Sequence, residues 1–412
     1  MAAHSLDVKV VNTLLGLLLL SSALSVGSSA QTDTFDQSSP TVTTVMSGLA
    51  NPRGLAFDRD GALYVAEAGR GGAGPCIATG AQIFCYGPSG GVSRLYEGVQ
   101  QRIVSGLPSL AMAPSGARAV GAHDIAMLGV GSARVTIGLE NDPATRNLYP
   151  EFAGFGRLVH VTPGGQWAFV SDISAYEAQY NPDGRLNADG TPHHDSNPFG
   201  LLALPGKHLV TDAGANALLS VNAVGQVSLI ATFHSRGTTP PRQSCAPSDP
   251  PGLDPITDAV PTSVVAGPDG AYYVSELTGV PFVDGTANIH RVVPNDVPQL
   301  FLIGDNPCVD GFNACITGFK MILDMDFDSD GNLYVLQHAT GAIRQTGPGV
   351  LIRVTPDKTQ PDVCAQYQMG VRTTVLSGLT GPTSVVVGPD GALYVTNRGN
   401  SGLNGEVFRV VQ

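Results

Sequence analysis

The sequence predicts an all-β fold built from six similar sheets of four strands each. Three observations carry this prediction: a recurring strand–turn–strand motif, a composition rich in turn residues, and an N-terminal segment that resembles an internal strand. The chain has 412 residues, including 51 Gly and 30 Pro, and only 14% of them are charged. Globular proteins average about 25% charged residues, so this composition favours a turn-rich β protein over helices or disorder.

The recurring motif is clearest near the C-terminus, where Pro382 to Val395 reads PTSVVVGPDGALYV. Its apolar residues are largely β-branched or aromatic, and Gly388 to Gly391 between them has the composition of a tight turn. Five further copies, two of them looser, share the pattern: Pro52–Val65, Ala122–Gly138, Pro198–Thr211, Pro261–Val274 and Ile322–Val335. A spacing of roughly 60 residues is typical of propeller blades and other repeat folds.

The N-terminal segment completes this pattern. Each unit can be read as four strands, with Pro298–Gly304 as the fourth strand of the fourth unit, but the last unit provides only three. Thr41–Leu49 can supply the missing strand, because it resembles Thr373–Leu379, the fourth strand of the preceding unit. Such a strand removes the open edges of a propeller. We therefore predict a single six-bladed β-propeller over residues 41–412, closed by its N-terminal strand.

The first residues have the pattern of an export signal. Val10 to Val26 is mostly apolar, and Ser28-Ser29-Ala30 offers small residues for cleavage. We predict a signal peptide over residues 1–30 and a disordered leader over residues 31–40. An uncleaved anchor is the alternative, although the apolar run is short for a spanning helix. The mature chain is then secreted or periplasmic, lacks a transmembrane segment, and is expected to be a monomer.

Six cysteines fit an exported chain. Sequence proximity favours two disulfides that each close a short loop, Cys76–Cys85 and Cys308–Cys315. Cys245 and Cys364 then have no assigned partner. A metal site is the alternative, but the sequence contains no Cys-x-x-Cys pair.

Loop lengths indicate where a functional site would lie. In a propeller, the loops from second to third strand and from fourth strand to the next unit share one face. Most long insertions fall on that face: Ala68–Gly90, Leu139–Phe155, Ile173–Pro198, His234–Pro261 and Asp305–Met321. Loops on a rigid scaffold often carry function, so we expect a small molecule or a partner protein to bind this loop-rich face. The net charge of −12 argues against nucleic acid.

Polar side chains recur where the second strand of each unit ends on the loop-rich face. The aligned residues are Glu67, Leu139, Asp212, Glu276, Gln337 and Asn397. Carboxylate and amide oxygens are the ligands that Ca²⁺ prefers. We predict Glu67, Asp212 and Glu276 as candidate ligands of a divalent metal such as Ca²⁺. The alternative is that these residues cap strand ends and hydrogen-bond the loop backbone.

The first strands enter from the same face and add candidate ligand-binding residues. Arg53 and His123 begin two of these strands, and Asp195 and Asn197 precede a third. With Gln337 at the end of a second strand, they would surround the mouth of the central channel. The polar loop that contains Asp195 does not match EF-hand spacing, so an ordered loop without metal is its alternative interpretation.

His123 and Asp124 are also catalytic candidates, with His123 as a general base. Neighbours on a strand face opposite sides, so Asp124 cannot orient His123 directly. Asp324 aligns with Asp124 three units further along, and we expect it across the channel. A purely structural histidine is the alternative. The sequence contains no nucleophile elbow, P-loop or dinucleotide-binding fingerprint.

Long segments of this chain match the pattern of a known family. They are EAGRGG followed by GPC at Glu67–Cys76, DSNPFGLLALPG at Asp195–Gly206, TDAGANALLSV at Thr211–Val221, PTSVVAGPDGAYYVSELTGVPF at Pro261–Phe282 and ITGFKMILDMDF at Ile316–Phe327. Through them, essentially the whole mature chain resembles the ScyD/ScyE family, and more distantly the NHL-type and gluconolactonase-like propellers.

This resemblance implies an exported six-bladed propeller that acts as an accessory in biosynthesis of the sunscreen pigment scytonemin, at a late, periplasmic step. Most other members of the family have no assigned activity. Related calcium-dependent propeller hydrolases imply the alternative, which is a metal-dependent lactonase-like hydrolase or an oxidative enzyme at the channel mouth.

Overall fold

The computed structural model describes residues 39–187, 189–233, 236–237, 256–280, 282–294, 299–301, 314–341 and 347–412. The predicted signal peptide, Cys245 and Cys308 lie outside these residues. Six sets of four antiparallel strands dominate the described chain, as in a six-bladed propeller. We call the sets blades 1 to 6.

The strands follow one another in chain order. The first is β1 (Thr41–Leu49). Blade 1 contains β2 (Pro52–Phe57), β3 (Leu63–Glu67), β4 (Cys76–Thr79), β5 (Gln82–Tyr96), β6 (Val99–Met112) and β7 (Ala117–Val120). Blade 2 contains β8 (Ala122–Gly129), β9 (Ser132–Ile137), β10 (Arg157–Val161) and β11 (Trp167–Asp172). Blade 3 contains β12 (Pro198–Leu204), β13 (Lys207–Asp212), β14 (Ala217–Asn222) and β15 (Val227–Phe233).

The second half of the chain repeats this order. A short pair, β16 (Arg236–Gly237) and β17 (Ile256–Thr257), precedes blade 4, which contains β18 (Pro261–Ala266), β19 (Tyr272–Glu276), β20 (Ala287–Val292) and β22 (Ala314–Phe319). Between the last two lies β21 (Gln299–Phe301). Blade 5 contains β23 (Ile322–Phe327), β24 (Leu333–Gln337), β25 (Gly349–Thr355) and β26 (Val371–Leu379). Blade 6 contains β27 (Val385–Val387), β28 (Leu393–Asn397) and β29 (Gly405–Val411), with β1. The helices are α1 (Ser174–Tyr180), α2 (Val363–Gln368) and the 3-10 turns Pro143–Asn147 and Pro150–Gly154.

The predicted placement of the N-terminal strand in the last unit is confirmed. β1 runs antiparallel to β29, with Thr41 opposite Val411 and Leu49 opposite Gly405, and it is the outer strand of blade 6. The first strands of successive blades contact one another, and β27 of blade 6 contacts β2 of blade 1. β1 therefore supplies the fourth strand of the blade that meets the start of the array.

The predicted fourth strand of the fourth unit was wrong. Gln299–Phe301, from the predicted Pro298–Gly304 segment, pairs in parallel with β15 at the outer edge of blade 3. The fourth strand of blade 4 is β22, which pairs with β20. The apolar residues of the segment indicate a strand, but propensity does not specify the partner, and β15 offers an open edge of hydrogen-bonding groups.

The disulfides agree only in part with the predicted pairing. Cys76 is bonded to Cys85, as sequence proximity favoured. Cys315 is bonded to Cys364, 49 residues away, so its predicted pairing with Cys308 was wrong. The reason is that α2 packs on β22, which brings two cysteines together that are distant in sequence. In the described part of the chain, no helix is long and apolar enough to span a membrane.

A repeated tyrosine–aspartate contact explains the motif that defines the units. The turn carboxylate of Asp58 accepts hydrogen bonds from the N–H groups of Asp60 and Ala62 and from the Tyr64 hydroxyl, at 3.0–3.1 Å. The same tyrosine contact recurs as Tyr334 with Asp328 and Tyr394 with Asp390, both at 3.2 Å. One aspartate thus fixes the turn and orients an aromatic ring between neighbouring blades.

Candidate functional site

The polar residues at the ends of the second strands occupy equivalent positions. Four of them lie opposite the first residue of their blade: Glu67, Asp212, Glu276 and Gln337. In blade 2 this position belongs to Ile137, which lies opposite Ala122. The alignment that placed Leu139 there was therefore wrong by two residues.

These strand-end side chains hold the backbone that leads into their own blade. Glu67 accepts a hydrogen bond from the Ala50 N–H at 2.6 Å. The other three contacts of this kind are Asp212 with the Asn197 N–H at 2.6 Å, Gln337 with the Lys320 N–H at 2.7 Å, and Asn397 with the Thr380 N–H at 2.8 Å. In four of the six units, the side chain at this position therefore caps the strand end and hydrogen-bonds the backbone. This is the alternative interpretation given for these residues in the sequence analysis.

The remaining oxygens of the three candidate metal ligands also have protein partners. Glu67 accepts from the Ser93 hydroxyl at 2.5 Å and pairs with Arg102 at 3.0 Å. Asp212 accepts from the Ser196 hydroxyl at 2.6 Å. The two oxygens of Glu276 contact the Asn288 N–H at 3.2 Å and His290 Nε2 at 2.8 Å.

The metal assignment of Glu67, Asp212 and Glu276 thus stays a prediction, and these contacts do not support it. Within the described ranges, no group of three or more His, Cys, Asp or Glu side chains is arranged to hold a metal ion.

Arg53 joins blades instead of facing a ligand. Its side chain is 6% exposed and donates to the carbonyls of Gly399 and Ala119 and to the side-chain oxygen of Asn400. Burial lowers its pKa to about 10, and the charge of Glu140 opposes that shift. The guanidinium therefore links β2 of blade 1 to Ala119, which lies shortly before blade 2. It also links β2 to the loop between β28 and β29 of blade 6.

His123 has one satisfied and one unsatisfied ring nitrogen. Nδ1 lies 3.2 Å from the carbonyl oxygen of Pro198, and the ring packs on Phe199 with centroids 4.8 Å apart. Nε2 is buried and has no hydrogen-bond partner. Burial, reinforced by the charge of Arg53, lowers the pKa of His123 to about 3. Gly138 allows this approach, because a Cβ there would lie 2.1 Å from the His123 ring.

Asp124 and Asp324 do not orient His123. Asp124 accepts from the N–H groups of Ile125 and Leu201 at 2.8 and 2.7 Å. Burial and then the charge of Asp324 raise the pKa of Asp124 well above its ordinary value. The two aligned carboxyls therefore interact within the channel, and their hydrogen bonds tie neighbouring first strands together.

A pocket lies between two loops at the loop-rich face of blades 2 and 3. The loop after β9 and the loop before β12 are joined by a bridge in which Ser196 N–H donates to the Asn141 carbonyl at 3.1 Å. Asp142 caps the 3-10 turn that follows, accepting from the Ala144 N–H at 2.7 Å. The pocket has a volume of ≈ 350 Å³. Its lining is polar: Glu140, Asn141, Asp142, Asn187, His193, His194 and Asp195.

One carboxyl group of the pocket lining, and one that contacts this lining, have unsatisfied oxygens. Asp195 Oδ1 and Glu177 Oε2 are buried and have no hydrogen-bond partner. Glu177, on α1, is 1% exposed, and its Oε1 lies 3.4 Å from both His194 Nδ1 and the Asp195 N–H. Unpaired buried oxygens of this kind are costly, and they often mark a place for water, a proton or a ligand.

Burial, and then neighbouring negative charge, makes the two carboxyls hard to ionise. Burial, then Asp212, Glu140 and Asp258, raises the pKa of Asp195 to about 7, although Arg185 opposes the shift. Burial, then Asp212 and Asp183, raises the pKa of Glu177 to about 8. Burial by the surrounding protein raises the pKa of Glu140. Because this residue is exposed to solvent, water limits that rise.

The predicted ligand-binding residues therefore separate into two groups. Asp195 lines the pocket, and Asn197 lies beside it with its Oδ1 accepting from the Leu139 N–H at 3.2 Å. Arg53, His123 and Gln337 hold the scaffold by the contacts given above. Glu140 and Glu177 were not predicted. Both lie in long insertions that were assigned to this face, Leu139–Phe155 and Ile173–Pro198, but no spacing in the sequence points to either residue.

Comparison with known proteins identifies the fold but not a family. No family model and no curated protein matches the chain. Similar solved structures include a putative oxidoreductase (glucose dehydrogenase) from Thermus thermophilus, at 17% identity and a TM-score of 0.51, covering 90% of this chain and all of its own (100%). A PQQ-bound aldose sugar dehydrogenase from Streptomyces coelicolor gives 13% identity and a TM-score of 0.50, with 90% and 98% covered.

Such low identities show the fold alone. The resemblance to the ScyD/ScyE family stays a prediction. The chain is similar in fold to propeller-type sugar dehydrogenases.

Proposed function

We propose that this protein is an exported propeller that binds a small cationic molecule, carrying an amine or guanidinium group, in the pocket between blades 2 and 3. One observation carries the proposal: Asp195 lines the pocket and has a buried carboxylate oxygen without a partner. A hydrogen-bond donor on a ligand would satisfy that oxygen. In folded proteins, most buried oxygens accept hydrogen bonds from protein groups or ordered water.

The charge around the pocket favours a cation over an anion or a neutral ligand. Glu140, Asp142 and Asp195 line it, no lysine or arginine does, and Arg185 nearby is paired with Asp258 at 2.8 Å. At about 4 Å, each opposite-charge pair is worth roughly 1 kcal/mol in water and about 4 kcal/mol near a protein surface. A bound cation would also relieve the repulsion among these carboxylates.

The finer roles predicted from the sequence have less support. An accessory role in scytonemin biosynthesis, or a protein partner at this face, depends on the family resemblance alone. The oxidative alternative has support at the level of the fold only. PQQ, named for one structural neighbour, is a polycarboxylate, and it does not fit a pocket lined by three carboxylates. The lining of this pocket therefore does not support a redox step with PQQ.

Cation binding can be tested with 1,4-diaminobutane as the probe, by isothermal titration at pH 8. We expect the Asp195→Asn variant to bind it about tenfold more weakly, a loss of about 1.4 kcal/mol, because the amide removes one charge. Asp330→Asn is the matched control, since this carboxylate is exposed in the turn between β23 and β24. Equal binding by the two variants, or tighter binding of glucose than of the diamine, would contradict the proposal.

The same titration should depend on pH with a defined sign. A carboxyl binds a cation only when ionised, and the pKa of Asp195 is raised to about 7. Affinity for the diamine should therefore rise by up to about tenfold between pH 6 and pH 8 in the wild type. The Asp195→Asn variant should show a flatter profile, and an affinity that falls over this range would argue against the assignment.

Export is a separate part of the proposal. The described residues contain two disulfides and no membrane-spanning helix, which is compatible with export. We expect protein recovered from the native host to begin near Gln31, as measured by mass spectrometry of its N-terminal peptide. Recovery of an intact Met1 in the cytoplasmic fraction would overturn this prediction.

A further inference from the structure

Three basic side chains meet between blades 2 and 3 at the end opposite the loop-rich face. On β9, Ala133 and Val135 pack toward blade 1, so Arg134 between them faces blade 3. His160 lies opposite Arg134 on β10. On β13, His208 points back toward blade 2, on the side of the strand where Val210 packs with Leu158. All three lie near short turns.

Several polar atoms of this group are buried and unpaired. Arg134 Nε and Nη1 and His208 Nδ1 have no hydrogen-bond partner. His208 is only 7% exposed, whereas Arg134 and His160 are half-buried, so the group is open to solvent on one side. His160 Nε2 lies 3.2 Å from the Ser132 hydroxyl, which adds a further polar group. Buried donors without acceptors need an explanation, and a bound acceptor is one.

The described strands around this group offer it no free carboxylate. β12, β14 and β15 contain no charged residue. On β8, His123 and Asp124 lie at the opposite, channel-mouth end. On β11, Asp172 is already paired with Arg146 and Arg157 at 2.7 and 3.1 Å. Lys207, next to His208, lies over the Tyr272 ring of blade 4. Among the residues that the structure describes, the group is therefore an uncompensated cluster of cationic and potentially cationic side chains.

The repeat itself shows that this cluster is a departure from the structural pattern. Arg134 lies three residues before the strand end at Ile137, as Tyr64 lies three before Glu67. The turn carboxylate that would pair with it is also absent, because Leu128 stands where blade 1 has Asp58. Blade 2 thus has an arginine with two unpaired nitrogens and a leucine where blade 1 has a hydrogen-bonded tyrosine and aspartate.

We propose that Arg134, His160 and His208 form a binding site for a tetrahedral oxyanion, such as a phosphate or sulfate group, on the short-turn face of blades 2 and 3. The guanidinium fork suits two oxygens of such a group, and the two imidazoles can donate to the others. This site is distinct from the acidic pocket and does not depend on the function proposed for it.

The free site disfavours charge on its histidines. Burial, and then the charge of Arg134, lowers the pKa of both His160 and His208. Burial likewise lowers the pKa of Arg134. A bound dianion would reverse the histidine shifts, since it favours the protonated imidazolium. Binding should therefore take up protons and become tighter as pH falls below the ordinary histidine value of about 6.5.

Sulfate is the appropriate probe, because it remains a dianion from pH 5 to pH 8. We expect isothermal titration at constant ionic strength to show Arg134→Gln binding sulfate at least about tenfold more weakly than the wild type. Arg353→Gln is the matched control, since Arg353 is half-buried with an unpaired Nε but lies opposite Tyr334 and Thr373 instead of a histidine. We expect its sulfate affinity to be unchanged.

Two further measurements keep the test independent of folding. Arg134→Gln should be at least as stable to heat as the wild type without sulfate, since it removes a cation with two buried, unpaired nitrogens. The His208→Gln variant should show a weaker pH dependence of sulfate binding. Phosphate should compete with sulfate and acetate should not. Equal losses in the Arg134 and Arg353 variants, or binding that weakens as pH falls, would overturn the site, as would competition by acetate.

Discussion

A chain that begins at Ala50, and so lacks β1, should lose its cooperatively folded state. β1 covers the whole edge of β29 and buries Met46 and Leu49, which are 2% and 1% exposed. Two buried apolar side chains contribute roughly 1.5–3 kcal/mol each, and each ladder hydrogen bond about 0.5–1.5 kcal/mol. The sum is comparable to the whole stability of a typical domain, about 5–15 kcal/mol.

The effect of this deletion is measured by thermal unfolding followed by circular dichroism, together with gel filtration. A chain that begins at Ser39 is the control, and we expect it to melt in one cooperative transition. A peptide spanning Thr41–Leu49, added in trans, should restore the transition of the shortened chain, because an open sheet edge accepts an added strand. A shortened chain that melts as the control does would show that β1 is dispensable.

The sequence predicted the position of β1 because one repeat unit was visibly incomplete. The repeat has a local physical cause: a turn aspartate, a tyrosine hydroxyl and alternating apolar residues recur, as in Asp390 with Tyr394. Such signals lie within a few residues of one another. The partner of Gln299–Phe301 and the pairing of Cys315 were wrong because they depend on where distant segments dock, which local pattern does not specify.

The candidate site was only partly predictable for a related reason. The strand-end oxygens of Glu67 and Asp212 were visible in the sequence, but whether they face a ligand or the backbone depends on loop paths. Asp195 was placed correctly beside an inner strand. Glu177 acquires its raised pKa from burial and from Asp212 and Asp183, and those neighbours come from separate segments of the chain. Charge clusters assembled in this way carry no signature at fixed spacing.

Replacement of the two aligned channel aspartates should have unequal effects. Asp324 accepts four hydrogen bonds: from the Ser263 hydroxyl at 2.7 Å, the Ser384 hydroxyl at 2.6 Å, the Val385 N–H at 3.0 Å and the Met325 N–H at 2.9 Å. Burial raises its pKa, and these donors oppose the rise. In Asp324→Ala, the two N–H groups lose their partners, at about 1–3 kcal/mol each.

We therefore expect Asp324→Ala to lower the free energy of unfolding by about 3–5 kcal/mol at pH 7, measured by urea denaturation with the disulfides intact. Asp124→Ala removes only two accepted hydrogen bonds. Its cost should be smaller, about 1–2 kcal/mol. The exposed Asp330→Ala is the control and should change stability by less than about 0.5 kcal/mol.

The pH dependence separates the two roles further. The folded-state pKa of Asp124 is raised above its unfolded value, so the wild type holds a proton there that the unfolded chain releases. That contribution is fully present below the unfolded pKa, near 4, and is lost as pH rises toward the folded pKa. The cost of Asp124→Ala should therefore shrink as pH rises above about 5. A cost that grows over this range would mean that Asp124 is ionised and paired in the folded channel.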